Sequence, residues 1–457
     1  MVKYLSTKGQ CSDRCFQEAL FSAYCDDGGL FMPATLPRLD WKSWIGKRYQ
    51  DILFEIARAF IDDSEISTGD LRGIIQKVFE PTSDKFPADP VPISRLSDNI
   101  HVLELCHGPT LAFKDYSMQV VIEVMEYFLR RSDKCLTLLV STSGDTGSAA
   151  GYAVSNRSNL DLIVLYPGGN RISKAQELMI NSSASNNVQV FKCDDDNDAL
   201  DAILSPIYED VPFVRNHSVS SVNSVNWARI MIQMAHWIYG YLELVHRSAI
   251  KMDDELEVAV PTGACGNLTA GLLCCVLGVP LKIIACTTEA NDTVHEFVSK
   301  GKVQHTKEVL PTLAPAIDIG NAYNLERIVF LGDKYCFEIS KFLLSHTAND
   351  DDIKQTIKDF YSQDSYLLCP HTAVAMSCLS SSVKSRPFLC IATASPEKFA
   401  DLYELCDIPK PHIREHMFNR IPAEPNQLKG STAGERKEQI RRLIEDITNQ
   451  RCHLSQD

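Results

Sequence analysis

The sequence has neither a long apolar run nor an excess of positive charge. No apolar run reaches the roughly 18 to 20 residues that a helix needs to cross a bilayer, and the opening residues MVKYLSTKGQ lack the apolar stretch of a secretory signal. We therefore expect no membrane association and a cytoplasmic location. The formal net charge of -14 argues against a nucleic-acid partner, because such proteins draw most of their affinity from basic residues that neutralise phosphates.

Cysteine pairs with the CxxC spacing are also missing. The 16 cysteines are scattered, none is spaced as CxxC, and several lie in apolar runs such as 272–276. This distribution favours buried free thiols in a reducing compartment over disulfides. The same spacing disfavours a structural zinc site, and we expect no bound metal.

The composition is that of a globular protein, and strand and helix patterns alternate along most of it. The 457 residues are 45% hydrophobic and 23% charged, enough for two or three cores. Strands that are apolar throughout and alternate with helices predict an α/β fold, with mostly parallel sheets covered by helices on both faces. The candidate strands are 135–141, 160–166, 188–192, 256–260, 281–286 and 387–392. The candidate helices between them include 148–155, 173–181 and 224–241.

Three segments are expected. Helical periodicity around 44–60 and 69–79 is followed by a cluster of prolines, which indicates that a small amino-terminal domain covers residues 1–92. A body of two subdomains then covers 93–426. The tail, 427–457, is predicted as a loop followed by an amphipathic helix at 435–448 that packs on the body.

Two glycine-rich turns and one lysine point to chemistry. The turns SGDTG (143–147) and TGACGN (262–267) each follow a predicted strand and open a helix, where unpaired N–H groups can bind an anion. Lys114 lies in HGPTLAFKD, and a lysine can form a Schiff base with an aldehyde cofactor. Taken singly, each feature has an ordinary explanation: tight packing for a glycine turn and a solvated surface charge for a lysine.

The strings occur in an order that resembles the threonine synthase family of pyridoxal phosphate (PLP) enzymes. The similarity runs from EALFSAYCDDGGLFMP through HGPTLAFKD, TSGDTGSAA, NSVNWARI and VPTGACGNLTAG to ATASPEKF, nearly the whole chain. The resemblance implies the PLP-dependent fold type II of the tryptophan synthase β subunit, and it implies pyridoxal 5'-phosphate as the cofactor.

The resemblance also implies roles for particular residues. Lys114 would form the Schiff base and carry protons, and Thr393 would meet the pyridine nitrogen of the cofactor. Asp145 would face the edge of the cofactor ring. The phosphate of the cofactor would be held by Gly263, Ala264, Cys265, Gly266 and Asn267. The substrate would be bound by Thr142, Ser143 and Thr146 at its carboxylate and by Asn223, Ser224 and Arg229 at its own phosphate. For His371 the residues leave a structural role and a proton-carrying role open.

Two departures bear on the reaction. Many threonine synthases read GNFGN where this chain has GACGN, and an acidic residue usually stands where this chain has Cys369. These variants resemble the vertebrate threonine synthase-like branch, so we expect a phospholyase that acts on phosphorylated hydroxy amino acids. A true threonine synthase is the alternative, and a non-catalytic binding or signalling protein is a second one. The expected partner is a small phosphorylated amino acid, with monomer and homodimer both left open.

Overall fold

The computed structural model describes residues 2–83, 85–169, 171–194, 197–301, 308–379, 386–412, 424–430 and 432–454. Within these residues there are thirteen strands and sixteen α-helices. The strands are β1 (Tyr4–Ser6), β2 (Phe31–Pro33), β3 (Ile93–Arg95), β4 (Ile100–Glu104), β5 (Leu136–Ser141), β6 (Leu160–Pro167), β7 (Val188–Cys193), β8 (Val219–Ser220), β9 (Leu256–Pro261), β10 (Leu281–Thr288), β11 (Leu343–Ala348), β12 (Phe388–Ala392) and β13 (Asn426–Gln427). The helices are α1 (Phe16–Phe21), α2 (Tyr49–Phe60), α3 (Thr68–Phe79), α4 (Lys114–Ser132), α5 (Asp145–Val154), α6 (Lys174–Ser182), α7 (Asn197–Glu209), α8 (Val211–Asn216), α9 (Trp227–His246), α10 (Gly266–Val276), α11 (Thr293–Lys300), α12 (Leu325–Tyr335), α13 (Asp350–Asp364), α14 (Pro370–Met376), α15 (Ala400–Leu405) and α16 (Ala433–Leu454).

The strands form one small and two large sheets. A six-stranded sheet has the order β11-β10-β9-β12-β4-β3, and a five-stranded sheet has the order β13-β7-β6-β5-β8. Every neighbouring pair in the two large sheets is parallel except β3 with β4, while β1 and β2 pair antiparallel. The expectation of an α/β fold with mostly parallel sheets is confirmed.

The six predicted strands all form, each within two residues of the predicted ends. The helix predicted from periodicity around 44–60 begins only at Tyr49, because a 3-10 turn at Trp41–Trp44 and a left-handed Gly46 (φ +74°) come first. Strand β11 was not predicted, since it lies at a sheet edge and only its first and last residues are buried. The fifteen cysteines that the structure describes are free thiols, as predicted, but the predicted burial fails for Cys336, which is exposed, and is partial for Cys15, Cys135 and Cys378.

Helix α9 is the centre of the largest core. Every residue from Trp227 to Tyr241 is buried, and the helix packs against α2, α4 and α10. A helix that is buried all round is held by packing rather than by helix propensity. Through α2, the amino-terminal residues share this core with the body, and the hydroxyl of Tyr4 donates to the Phe60 carbonyl at 2.7 Å.

The carboxyl ends of three strands from both large sheets meet. Strand β5 ends in the turn that opens α5, β9 ends in the turn that opens α10, and β12 leads into Thr393. Helix α4 begins beside them at Lys114. Ligands in open α/β folds bind beyond the carboxyl ends of strands, so this is where a site is expected.

The carboxy-terminal residues return to the body. Strand β13 pairs in parallel with β7, and α16 buries Ile440 and Ile444 in a cluster with residues of α7. Residues 413–423, before the expected boundary at 426, and residues 455–457 lie outside the described residues. Among the described helices, none has the length and apolar character needed to span a bilayer.

Candidate active site

One cleft of about 130 Å³ is lined by all fourteen residues that the sequence assigns to cofactor or substrate. They come from five separate parts of the chain: the start of α4, the β5–α5 turn, the 223–229 segment, the turn after β9 and the end of β12. Motifs that are up to about 280 residues apart in sequence therefore share one cavity.

Lys114 is the first residue of α4, and only 13% of its side chain is exposed. Its Nζ lies 3.7 Å from Oδ2 of Asp145. Burial lowers the pKa of Lys114, opposed by Asp145 and reinforced by the positive charges of Lys398 and Arg229. The position at a helix N-terminus disfavours a cation as well. An uncharged amine that can attack a carbonyl or accept a proton is thereby favoured.

Asp145, the first residue of α5, is held by two donors. Its Oδ1 accepts from Nζ of Lys398 at 2.7 Å and from Nε2 of Gln176 at 2.9 Å. Burial alone would raise the pKa of this carboxyl, but the positive charge of Lys398 beside it holds the pKa below its usual range. The sequence analysis missed both donors, although Lys398 lies in the ATASPEKF string and Gln176 completes a capping box with Ser173.

The turn 263–267 between β9 and α10 has a backbone suited to an anion. Cys265 is left-handed (φ +62°), and a Cβ on Gly263 would lie 2.8 Å from Ile319 Cγ1 and 3.0 Å from Ile317 Cα, so only glycine fits there. Among the described residues, the N–H groups of this turn donate to no acceptor outside α10. The first N–H groups of a helix have no acceptor within the helix either, so these donors are available to an anion.

The side chain of Asn267 adds one more donor to this turn. Its Oδ1 accepts from Nε2 of His236 at 2.7 Å and from Nε1 of Trp237 at 2.8 Å, which fixes the orientation of the amide. Its Nδ2 is buried and has no partner among the described residues. Leaving such a donor unpaired costs about 1 to 3 kcal/mol. A phosphate oxygen would satisfy it together with the backbone N–H groups, so the turn fits a phosphate-bearing cofactor.

Thr142 organises the turn before α5. Its Oγ1 accepts from the N–H of Gly144 at 3.0 Å and from the N–H of Gly147 at 2.9 Å, while Ser143 and Thr146 line the cleft beside it. Gly144 is left-handed (φ +122°), and a Cβ there would lie 2.5 Å from Nε2 of Gln176. The turn thus points the N-terminus of α5 toward the cleft, where its N–H groups could bind a carboxylate.

The residues 223, 224 and 229 lie together at another wall. Nδ2 of Asn223 donates to the carbonyl and Oγ of Ser141 at 3.2 Å, and Oγ of Ser224 accepts from Asn324 Nδ2 at 3.0 Å. Arg229 is buried, and it donates from Nε to Ser117 Oγ and from Nη1 to the Val222 carbonyl, each at 2.7 Å. Burial lowers the pKa of Arg229 to about 10, partly offset by Asp115, so the guanidinium stays charged at neutral pH.

Thr393 and His371 complete the lining near Lys114. The Thr393 carbonyl accepts from the Phe113 N–H at 2.9 Å, which fastens the loop before Lys114 to the end of β12. Nε2 of His371 accepts from the Ala316 N–H at 2.9 Å, so the ring proton belongs on Nδ1. Burial lowers the pKa of His371 to about 4, which makes it a neutral imidazole at physiological pH.

Tyr24, Asp201 and Tyr208 also line the cleft, and none of them was predicted as a site residue, although Tyr24 lies in the string EALFSAYCDDGGLFMP. Tyr24 brings the amino-terminal segment to the site, and its ring lies 5.5 Å from that of Tyr208. Asp201 accepts hydrogen bonds from the hydroxyls of Ser141 and Tyr323, and burial raises its pKa. Whether these residues reach the cleft depends on contacts between segments that are far apart in the sequence, and the sequence alone does not show such contacts.

Comparisons with known proteins agree with this geometry. Residues 3–79 match the family model described as threonine synthase N terminus, and residues 87–393 match that of pyridoxal-phosphate dependent enzymes. The chain is 36% identical to threonine synthase-like 2 of Xenopus laevis, over 92% of this chain and 96% of that protein. It is 31% identical to threonine synthase of Saccharomyces cerevisiae, over 84% and 85%. The crystal structure of PLP-bound threonine synthase from Brucella melitensis superposes with a TM-score of 0.83 at 28% identity, covering 97% and 99% of the two chains.

The fold and the match over residues 87–393 define a pyridoxal-phosphate-dependent enzyme of fold type II. Within that class, the chain belongs to the threonine synthase family. Its cofactor is pyridoxal phosphate.

Proposed function

We propose that this protein is a phospholyase that eliminates phosphate from O-phosphohomoserine and O-phosphothreonine, giving 2-oxobutyrate, ammonia and phosphate. One water is consumed in each case, when the unsaturated amino acid left by elimination hydrolyses to the oxo acid and ammonia. One observation supports the proposal most: Lys114 lines the same cleft as two separate candidate anion-binding sites. We call the 263–267 turn the first anion seat and the 223–229 wall the second.

The first seat belongs to the cofactor. The N–H groups of 263–267 and the unpaired Nδ2 of Asn267 would hold its phosphate at the head of α10. The cofactor supplies an electron sink that makes the Cα proton of an amino acid removable. Lys114 is the group that would take that proton, since its amine is buried, adjacent to Asp145 and disposed to be uncharged. The hydroxyl of Thr393, a neutral partner for the pyridine nitrogen, suits elimination over transamination.

The second seat suits the phosphate of the substrate. Arg229 keeps its charge at neutral pH, and a guanidinium presents a planar fork of donors that matches phosphate oxygens. Asn223 and Ser224 stand beside it in the same lining. The N-terminus of α5, with Ser143 and Thr146, would take the carboxylate of the substrate. Both anionic ends of a phosphorylated amino acid are then bound at once, which places the reacting carbons near Lys114.

The preference for elimination over threonine synthesis rests on the surroundings of His371. A synthase must also direct a water molecule onto Cβ. Here the Nε2 lone pair of His371 is taken by the Ala316 N–H and burial lowers the pKa of the ring to about 4, while burial raises the pKa of the Cys369 thiol two residues earlier, so both residues are uncharged and neither is a strong base. Phosphate can still leave, because the leaving group and the cofactor carry that step, but no charged group at this position orients the water.

Product analysis tests the proposal. Purified protein loaded with cofactor is incubated with O-phosphohomoserine and, separately, with O-phosphothreonine, and 2-oxobutyrate, threonine and free phosphate are quantified. We expect phosphate and 2-oxobutyrate in equal amounts from both substrates, and no release by Lys114→Ala. Mostly threonine from O-phosphohomoserine would identify a synthase instead, as the similarity to the yeast enzyme allows. No phosphate release from either substrate would favour a binding protein.

A further inference from the structure

A second lysine lies in the same cluster without any surface exposure. Lys398 is in the 3-10 turn Pro396–Phe399 that follows Thr393, and the exposed fraction of its side chain is 0%. A buried ammonium costs several kcal/mol unless it is paired and hydrogen-bonded. Its Nζ lies 2.7 Å from Asp145 Oδ1 and donates to the Thr110 carbonyl at 2.9 Å. An apolar side chain at position 398 would be buried at a lower cost in free energy, yet the position holds a lysine.

Lys398 connects the segments that carry Lys114 and Asp145. Thr110 lies in the loop just before α4, and its N–H and hydroxyl both bind the carboxylate of Asp115, the residue after Lys114. The backbone carbonyl of Lys398 accepts from the Ser173 hydroxyl at 2.7 Å, at the N-terminus of α6. Helix α6 also carries Gln176, which donates to the same oxygen of Asp145 as Lys398 does.

The two oxygens of Asp145 consequently have different surroundings. Oδ1 has two close donors, whereas among the described residues the one partner of Oδ2 is the amine of Lys114, at 3.7 Å, which is 1 Å farther than Lys398 is from Oδ1 (2.7 Å). We propose that Lys398 is a positioning residue that fixes Oδ1 and neutralises the charge of Asp145, so that the nitrogen of Lys114 can stay unprotonated beside a carboxylate. The proposal rests on the proposed role of Lys114 as the reactive amine.

The physical reason is competition between two cations for one anion. An opposite charge within about 4 to 6 Å stabilises the protonated form of an amine, and a like charge destabilises it. With Lys398 in place, Asp145 is already paired, and the two effects on Lys114 oppose each other. Without Lys398, the carboxylate would be free to pair with Lys114 and hold it protonated. The other charged or titratable groups that act on this pair are Arg229 from α9, Asp115 from α4, and Cys369 and His371 at the start of α14.

The test follows the nitrogen of Lys114 in the cofactor-loaded protein. The pH dependence of the cofactor's visible absorption reports the protonation of the Lys114 nitrogen. The pH profile of phosphate release is measured in parallel. For Lys398→Met we expect the absorption transition to move up by about 1 to 2 pH units, the usual effect of an opposite charge at this range. Asp145→Asn should move it below the wild-type value, since Lys398 then stays uncompensated. The double variant Lys398→Met, Asp145→Asn should return toward wild type.

The controls separate positioning from packing. Lys398→Arg keeps the charge and should shift the transition less than Lys398→Met, whereas Lys77→Met removes a surface lysine paired with Glu123 and should not shift it. A lysine that only fills space would lower stability without moving the transition, and Asp145→Asn would not reverse any effect. An unchanged transition in folded, cofactor-loaded Lys398→Met would overturn the proposal. Should Lys398→Met not fold, an Asp145→Asn transition at or above the wild-type pH would overturn it equally.

The failure of the proposed function gives a different result. If the wild-type protein carries no cofactor adduct on Lys114, the role of the amine itself is wrong. If the adduct is on Lys114 but the variants titrate as the wild type does, only the role of Lys398 is wrong.

Discussion

Nε2 of His236 donates a hydrogen bond to Oδ1 of Asn267 over 2.7 Å, and both side chains are buried. Burial lowers the pKa of His236 to about 4, so the ring is neutral and has one proton to give. Because that proton is used on Oδ1, the amide of Asn267 has a fixed orientation, and its unpaired Nδ2 is presented at the 263–267 turn. The relationship links a residue in the middle of α9 to the proposed phosphate seat.

Removing that amide should weaken cofactor binding. For Asn267→Ala we expect the affinity for pyridoxal phosphate to fall about 10- to 100-fold, because a hydrogen bond to a charged group contributes about 1.5 to 3 kcal/mol. Titration of cofactor-free protein, followed by absorbance, measures it. Asn349→Ala is the control: it removes the N-cap of α13, an asparagine that does not line the cleft, and should lower stability by about 1 kcal/mol with unchanged affinity. Equal affinity in Asn267→Ala and wild type would show that Asn267 does not contribute to binding of the cofactor phosphate.

Replacing Arg229 should affect the substrate more than the cofactor. Arg229→Lys keeps the charge but loses the planar fork, so we expect kcat/KM for O-phosphohomoserine to fall at least about tenfold, mostly through KM, while cofactor absorbance is retained. Steady-state phosphate release and the visible spectrum measure the two effects. Arg247→Lys, at the end of α9 and bonded to Glu243, should change neither. Parallel loss of cofactor and activity in Arg229→Lys would mean that Arg229 is structural.

An acidic residue at position 369 should shift the products toward threonine. The thiol of Cys369 caps α14 by accepting from the Thr372 N–H at 3.4 Å, and aspartate can serve the same cap. Its carboxylate would raise the pKa of His371 from about 4 toward neutrality and give the site a proton carrier. We therefore expect a higher ratio of threonine to 2-oxobutyrate for Cys369→Asp, with Cys369→Ser matching wild type. An unchanged ratio in Cys369→Asp would mean that the residue at position 369 does not determine which product forms.

The sheets and the grouping of the motif residues could be predicted from the sequence. Strands β5, β6, β9 and β10 are mostly apolar because nearly all of their residues are buried, and that pattern is visible without a structure. The two glycine turns follow β5 and β9 directly, so the rule that ligands bind at strand carboxyl ends places each turn at the ligand-binding edge of its own sheet. The common cleft of the two turns with Lys114 was expected only from the resemblance to the threonine synthase family.

Other residues of the site could not be found that way. Tyr24 reaches the cleft by packing on Tyr208 of α7 and on Val225, and Asp201 is held there by hydrogen bonds from Ser141 and Tyr323. Lys398 is a lysine in a polar string, where the ordinary expectation is a surface charge. Only the folded chain shows its side chain to be buried against Asp145. Charged residues whose burial depends on distant segments give no periodic pattern to read.

The proposed chemistry depends most on which lysine joins the cofactor, because Lys114 lines the cleft and a second buried lysine, Lys398, pairs with Asp145 beside it. The decisive measurement is borohydride reduction of the cofactor-loaded protein, followed by digestion and mass spectrometry to locate the pyridoxyl group. We predict the group on Lys114 in the wild type and on Lys114 in Lys398→Met, with no adduct and no phosphate release in Lys114→Ala. An adduct on Lys398, on another lysine or on none would contradict the account.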